Sequence, residues 1–232
     1  MRPGNAPRVL RYCATRRIRQ GFLPRRRCGH TVHRGNPFRI RTRIAEQDGD
    51  MPPVAVSSTY LLHPTPLGDI LIVGTPDAVI SCHPVYDDPG DDLAALTLAL
   101  RAEPSPGATD AALQLAAQLD EYFAGNRTAF DVQLDWRLVR GFTRDALEAV
   151  TRIPFGETAG YGEVAVMAGR ARAARAVGTA CATTPFSIVV PVHRVIRADG
   201  SIGEYGGHPE TKRFLLDLES NALERAQTGR AV

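Results

Sequence analysis

The chain reads as an α+β fold: a small antiparallel sheet with helices in the first patterned half, and a mostly helical second half. Three observations predict this. Short β-branched runs alternate with proline- and glycine-bearing turns from Tyr60 to Ser81. Apolar residues then recur at helical spacing as far as Phe123, and two short helical segments flank a turn at Gly169. The 232 residues are enough to bury a core, and 44% hydrophobic content is ordinary for a soluble globular protein. No apolar run reaches the length needed to span a bilayer, so no membrane role is expected.

Residues 1–50 stand apart. They hold 13 arginines against three acids (Glu46, Asp48, Asp50), a balance of +10, while the remaining residues come to −7. Without apolar periodicity and dense in Arg, Gly and Pro, this stretch is expected to be a disordered tail. It fits a misassigned start with Met51 as the true first residue, a basic arm attracted to phosphates, or an Arg-rich targeting peptide. The first is favoured because patterned sequence begins only after Met51. Four cysteines (Cys13, Cys28, Cys82, Cys181) show no disulfide spacing, which points to a reducing, cytoplasmic setting. Cys13, Cys28, His30 and His33 lack a paired CxxC, so no metal site is expected there.

From Ser57 the elements follow in order. Tyr60–Leu62, Ile70–Val73 and Ala78–Ser81 read as three strands of a meander, separated by turns at 64–69 and 74–77. Asp91–Ala102 and Thr109–Phe123 read as helices, the second stopped by Gly125. The stretch 127–138 reads as a connector, with the only tryptophan, Trp136, as a packing anchor. A boundary near Arg140-Gly141 divides residues 51–140 from a second domain over 141–224, with 225–232 as a tail. In that domain Thr143 is the expected N-cap of a helix over Arg144–Arg152, broken by Pro154-Phe155-Gly156. Tyr161–Ala168 and Arg172–Ala182 form a helix-turn-helix signature around Gly169. Ala173, Ala174, Ala176, Gly178, Thr179, Ala180 and Ala182 leave the second helix a small-residue surface with Arg175 projecting; tight helix packing and close docking into a DNA groove explain it equally well. Ser187–Val190 reads as a short buried strand delivering Pro191-Val192-His193-Arg194-Val195, and 210–223 as a final helix.

The run from Phe142 to Glu219 resembles the C-terminal domain of the methylated-DNA–protein-cysteine methyltransferases, the alkylguanine-DNA alkyltransferases. The pieces that carry it are Pro154-Phe155-Gly156-Glu157 before Tyr161, Ala173–Gly178, Pro185 and Ile188–Pro191, His193–Ile196, Gly200…Gly203…Tyr205…Gly207, and Lys212…Leu215-Leu216…Glu219, with their spacing unbroken. The resemblance implies a winged-helix-like DNA-binding domain that works from the minor groove on double-stranded DNA with alkylated guanine flipped into a pocket. It implies DNA contacts by Tyr161, Ala174, Arg175 and Gly178, with Arg175 filling the gap left by the base. It implies a lesion pocket walled by Pro191, position 192, Tyr205 and Gly206, and a hinge at Thr184, where the family has asparagine. No cofactor and a monomer are expected.

The chemistry departs from that pattern. The family's nucleophile is the cysteine of P-C-H-R, activated through a histidine that a glutamate orients. Here His193 and Glu219 hold the base and orienter positions, but Val192 stands where the thiol belongs. Three functional expectations follow. The chain recognises alkylated guanine without transferring the alkyl group, as do alkyltransferase-like proteins that pass lesions to nucleotide excision repair proteins. Alternatively, it is a methyltransferase working through another thiol, Cys181, or a degenerate paralogue that keeps only the fold.

Overall fold

The computed structural model describes residues 57–228. The expectations placed on the basic tail, the start at Met51, the Cys13, Cys28, His30, His33 set and residues 229–232 lie outside the described residues.

The meander forms as expected from β1 (Thr59–Thr65), β2 (Gly68–Gly74) and β3 (Val79–Pro84), antiparallel throughout. Its first turn closes at Gly68, whose φ of 92° suits a residue without a Cβ, and the Thr65 hydroxyl donates to the Gly68 carbonyl at 2.7 Å. A two-residue strand, β4 (Ser105–Pro106), adds in parallel to β1 and gives the order β3-β2-β1-β4. Two residues, one of them proline, carry no alternation for a sequence reading to detect.

Period-two geometry sends successive side chains of β2 to opposite faces. Leu71 and Val73 pack with Leu96 of α1 (Pro89–Leu100), while Ile70 and Ile72 enter the main core with α2 (Asp110–Phe123). Asp88 caps α1 through the Gly90 amide at 2.9 Å, so the helix starts two residues before Asp91, and Thr109 caps α2 through the Ala112 amide at 3.2 Å. That main core is continuous with the second half: Ile72, Leu115 and Leu119 share it with Leu147, Val164, Val177 and Phe186.

In the second half Trp136 begins a short 3-10 turn, and its ring meets that of Phe186 edge-on at 5.0 Å, the anchoring role expected of it. Helix α3 (Gly141–Val150) starts before Thr143, which lies inside its first turn; Arg140 holds the cap position without a side-chain bond. The helix-turn-helix is present as α4 (Tyr161–Met167) and α5 (Ala174–Ala182), with Gly169 at φ 77° between them. A two-stranded parallel sheet joins β5 (Ala159–Gly160) to β6 (Val195–Ile196). The last helix, α6 (Pro209–Thr228), runs past Leu223 and takes in residues 225–228 of the expected tail.

One expected element is corrected. Ser187–Val190 is a buried turn, not a strand: Ser187 and Val190 form only an isolated bridge with each other, and Ile188 has φ 72°. Pro185 and Pro191 at either end have no amide to donate to a ladder. Instead the segment is tied to the sheet from outside, the Cys82 amide donating to the Pro185 carbonyl at 2.7 Å. Left-handed backbone at a β-branched residue costs on the order of 1–3 kcal/mol, a strain set against the full burial of Phe186, Ile188 and Val190. The 3-10 turn Val192–Arg194 follows directly.

Gly156 links these parts. Its φ is 77°, and a Cβ added there would run into the Leu223 side chain of α6. Gly156→Ala should therefore lower the unfolding free energy by about 1–3 kcal/mol, the range for overpacking, with left-handed strain in addition. Urea denaturation followed by circular dichroism measures it, and an unchanged midpoint would contradict the packing described.

Candidate functional site

The second half converges on the carboxylate of Glu219, wholly buried in the middle of α6. A buried carboxylate needs donors for both oxygens, and three separate segments supply them. The Tyr122 hydroxyl on α2 donates at 2.7 Å and His193 Nε2 lies at 2.8 Å, both to Oε1. Arg194 donates from Nη2 to Oε1 at 2.9 Å and from Nε to Oε2 at 3.0 Å, and the Gly156 amide reaches Oε2 at 2.8 Å. The Arg194 guanidinium also donates to the Ile153 carbonyl at 2.6 Å and lies 5.6 Å from the Phe155 ring centroid.

The electrostatics follow from this donor set. Burial alone would raise the Glu219 carboxyl, but the hydrogen bonds and charges of His193 and Arg194 outweigh it and hold the group at about 2. Burial pushes the His193 imidazole below its ordinary value, against the upward pull of Glu219. A neutral imidazole that donates from Nε2 to Glu219 leaves Nδ1 as an acceptor, and Nδ1 has no hydrogen-bond partner among the described residues. Burial, with Glu219 adding to it, raises the Tyr122 phenol well above its ordinary value, so it serves as a donor and not as an anion.

Val192 precedes this histidine in the 3-10 turn and is 2% exposed. Pro191, Tyr205 and Gly206, the other residues expected around a pocket, are buried with it. Burial holds the Tyr205 phenol far up, with the Ser187 hydroxyl beside it pulling the other way. Two thiols are present among the described residues, Cys82 in β3 and Cys181 in α5, and burial pushes both up to about 12. Lys212, also buried, donates to the Val195 carbonyl, and burial brings its amine down to about 8.

The helix-turn-helix side is organised differently. Tyr161, in the first turn of α4, is half-buried; its ring lies over the face of Gly178 on α5, and its hydroxyl reaches toward Gly203 in the loop before α6. A side chain larger than hydrogen at position 178 would stand in contact with that ring. Ala174 opens α5 half-buried, and Arg175 is exposed with no ion pair among the described residues. Thr184 is 3% exposed, and its hydroxyl accepts from the Phe186 amide at 3.2 Å, so it sits between the end of α5 and the buried turn. The structure therefore gathers Pro191, Val192, His193, Tyr205, Gly206 and Glu219 inside and leaves Arg175 at the surface. Sequence reasoning missed Tyr122 and Gly156 as partners of Glu219. A tyrosine on an apolar helix stripe reads as core, and a backbone donor leaves no trace in the choice of side chain.

Residues 141–221 match the family model described as 6-O-methylguanine DNA methyltransferase, DNA binding domain. Over 118 residues the chain is 48% identical to the methylated-DNA–protein-cysteine methyltransferases of Mycobacterium bovis and Mycobacterium tuberculosis, covering 51% of this chain and 69% of theirs. The relative from Methanosarcina barkeri is 42% identical over 110 residues, 47% of this chain and 69% of its own. Among solved structures, the M. tuberculosis O6-methylguanine methyltransferase aligns with a TM-score of 0.59 and 36% identity, over 71% of this chain and 94% of its own. M. tuberculosis OGT in complex with DNA aligns at 0.58 and 37%, over 72% and 94%.

The pH dependence of stability follows from the buried pair. His193 is held below its ordinary 6.5, so the unfolded chain takes up that proton first and stability falls as pH drops below about 6.5. Glu219 is held at about 2 against an ordinary 4.5, so its contribution is complete above 4.5 and is lost as pH falls toward 2. His193→Gln should remove the first step and also shrink the second, because the His193 hydrogen bond is one of the interactions that hold Glu219 down. Tyr122→Phe should cost about 1.5–3 kcal/mol at neutral pH, the range for a hydrogen bond to a charged group. Denaturation midpoints measured from pH 7 to 3 check both, and a wild-type midpoint that is flat from pH 7 to 5 would contradict the first.

Proposed function

The chain belongs to the methylated-DNA–protein-cysteine methyltransferase family, and we propose that it binds duplex DNA, turns an alkylated guanine out of the stack and holds it without taking the alkyl group. The observation that carries this reading is Val192, buried beside His193, where the family resemblance puts the acceptor thiol. Alkyl transfer needs an atom that can displace the guanine oxygen from carbon, and a valine side chain has no lone pair to do so. The 2.8 Å contact of His193 with Glu219 supports the roles of base and orienter, but position 192 offers no thiol for His193 to deprotonate.

Reading a lesion requires less. The small-residue surface of α5 allows close approach to a groove, and exposed Arg175 is free to fill the space vacated by a flipped base, offsetting a few kcal/mol of unstacking. Tyr161, placed between Gly178 of α5 and Gly203, supports a link between the docking helix and the loop that carries Tyr205 and Gly206. Val192 and Pro191 are apolar and buried, which suits them to pack against an alkyl group once a base has entered. Since the lesion leaves this site unrepaired, its removal falls to a separate process that excises the nucleotide, and nucleotide excision repair proteins are the natural partners.

Cys181 is the poorer acceptor. Its thiol is pushed up to about 12 by burial, which leaves very little thiolate at neutral pH, and Cys82 is in the same position. Lesion reading is tested by equilibrium binding to matched duplexes with and without one O6-alkylguanine. The lesion duplex should bind about tenfold or more tightly, a difference of about 1.4 kcal/mol, and equal affinities would remove this reading.

A further inference from the structure

Apart from the Glu219 site, the connector and the start of α3 border an open cleft of about 560 Å³ lined by Trp136, Arg137, Arg140 and Arg144 together with Gln133 and Asp135. Its charge is lopsided. Arg137 pairs with Asp135 at 2.5 Å and Arg144 with Glu148 at 2.8 Å, yet both guanidinium groups stay partly exposed. Arg140 is exposed and has no carboxylate partner among the described residues. Arg144 also lies 5.7 Å from the Trp136 ring centroid, which holds one guanidinium plane at the mouth.

The segment beside the cleft touches the helix-turn-helix. Phe142, two residues past Arg140, carries the Arg170 guanidinium 5.0 Å from its ring centroid, and Arg170 lies in the turn between α4 and α5. Arg140, Arg144, Arg170, Arg172 and Arg175 are all exposed, and they lie on segments joined by that stacking contact. This concentration occurs in a part of the chain where acids outnumber basic residues, the balance beyond residue 50 being −7.

We propose that this cleft is a second anchor for the phosphate backbone of the duplex, to one side of the lesion. The proposal rests on the DNA-binding reading above and adds a place where the flank of the duplex is held. Guanidinium forks match phosphate oxygens in pairs, and such contacts position a duplex without reading its sequence. A lesion reader needs a sequence-independent grip of this kind, because damage occurs in any context. An acidic protein segment is the competing occupant; the link to the helix-turn-helix arginines through Phe142 and Arg170 favours DNA.

The test uses an undamaged duplex of about 24 base pairs, with affinity measured across a salt series. Each lost phosphate contact lowers the slope of log K against log salt by about 0.9. Arg140→Gln should therefore reduce the slope by about 1, Arg140→Lys should restore it, and Arg140→Gln/Arg144→Gln should reduce it by about 2. Trp136 is the only tryptophan, so its emission reports on the cleft directly; adding the duplex should protect it from iodide quenching. DNA binding with an unchanged slope in Arg140→Gln would overturn this inference alone and leave the DNA-binding reading standing. Protection of Trp136 by a poly-glutamate peptide but not by the duplex would overturn it in favour of a protein partner. Failure of the wild type to bind the duplex at low salt would overturn both readings together.

Discussion

A single buried negative charge, the Glu219 carboxylate, sets the constraint that the rest of the site obeys. Taking a carboxylate out of water costs several kcal/mol unless donors replace the water it loses. Here the donors come from α2, the Gly156 turn and the His193-Arg194 pair, so one side chain ties together segments almost a hundred residues apart. Tyr122 brings the first half of the chain into this arrangement directly. Gly156 must be glycine twice over, once for its left-handed backbone and once for the Leu223 side chain beside it.

That constraint separates two reasons for a residue to be present. His193, Arg194 and Tyr122 are needed to satisfy Glu219 whatever chemistry the site performs, because removing one partner strands a charge in the core. Their presence is therefore a statement about folding before it is one about catalysis. Arg175 and Arg140 are different: both are exposed and neither has an ion-pair partner among the described residues, so the fold makes no demand for them. An exposed arginine on a helix of small residues is accounted for by what docks there. On the proposed reading, a complete inner network beside an aliphatic Val192 serves to hold a damaged base without taking its alkyl group.

Much of this was legible in the sequence. The meander, the two helices that follow it and the helix-turn-helix follow from alternation, spacing and turn residues, and the roles expected of His193, Glu219 and position 192 came from the family resemblance. The failures have physical causes. Ser187–Val190 has the composition of a strand, but the prolines at its ends and a tie from Cys82 fold it into a strained turn, a tertiary effect that no local propensity records. Thr143 looked like a cap because it is the right residue type, whereas Gly141 at φ 56° lets the helix begin three residues earlier. Tyr122 was read as core, which it is; that its hydroxyl also reaches Glu219 depends on how α2 meets α6.

The most direct measurement is transfer of a radiolabelled methyl group from O6-methylguanine duplex DNA to the protein, run on the wild type beside Val192→Cys. The proposed reading, in which only the acceptor is missing, predicts no label on the wild type and about one methyl group per molecule on the cysteine variant, in which His193 gains a thiol to deprotonate. Label on the wild type would contradict the central claim outright, and a folded cysteine variant that stays unlabelled would show that more than the nucleophile is missing.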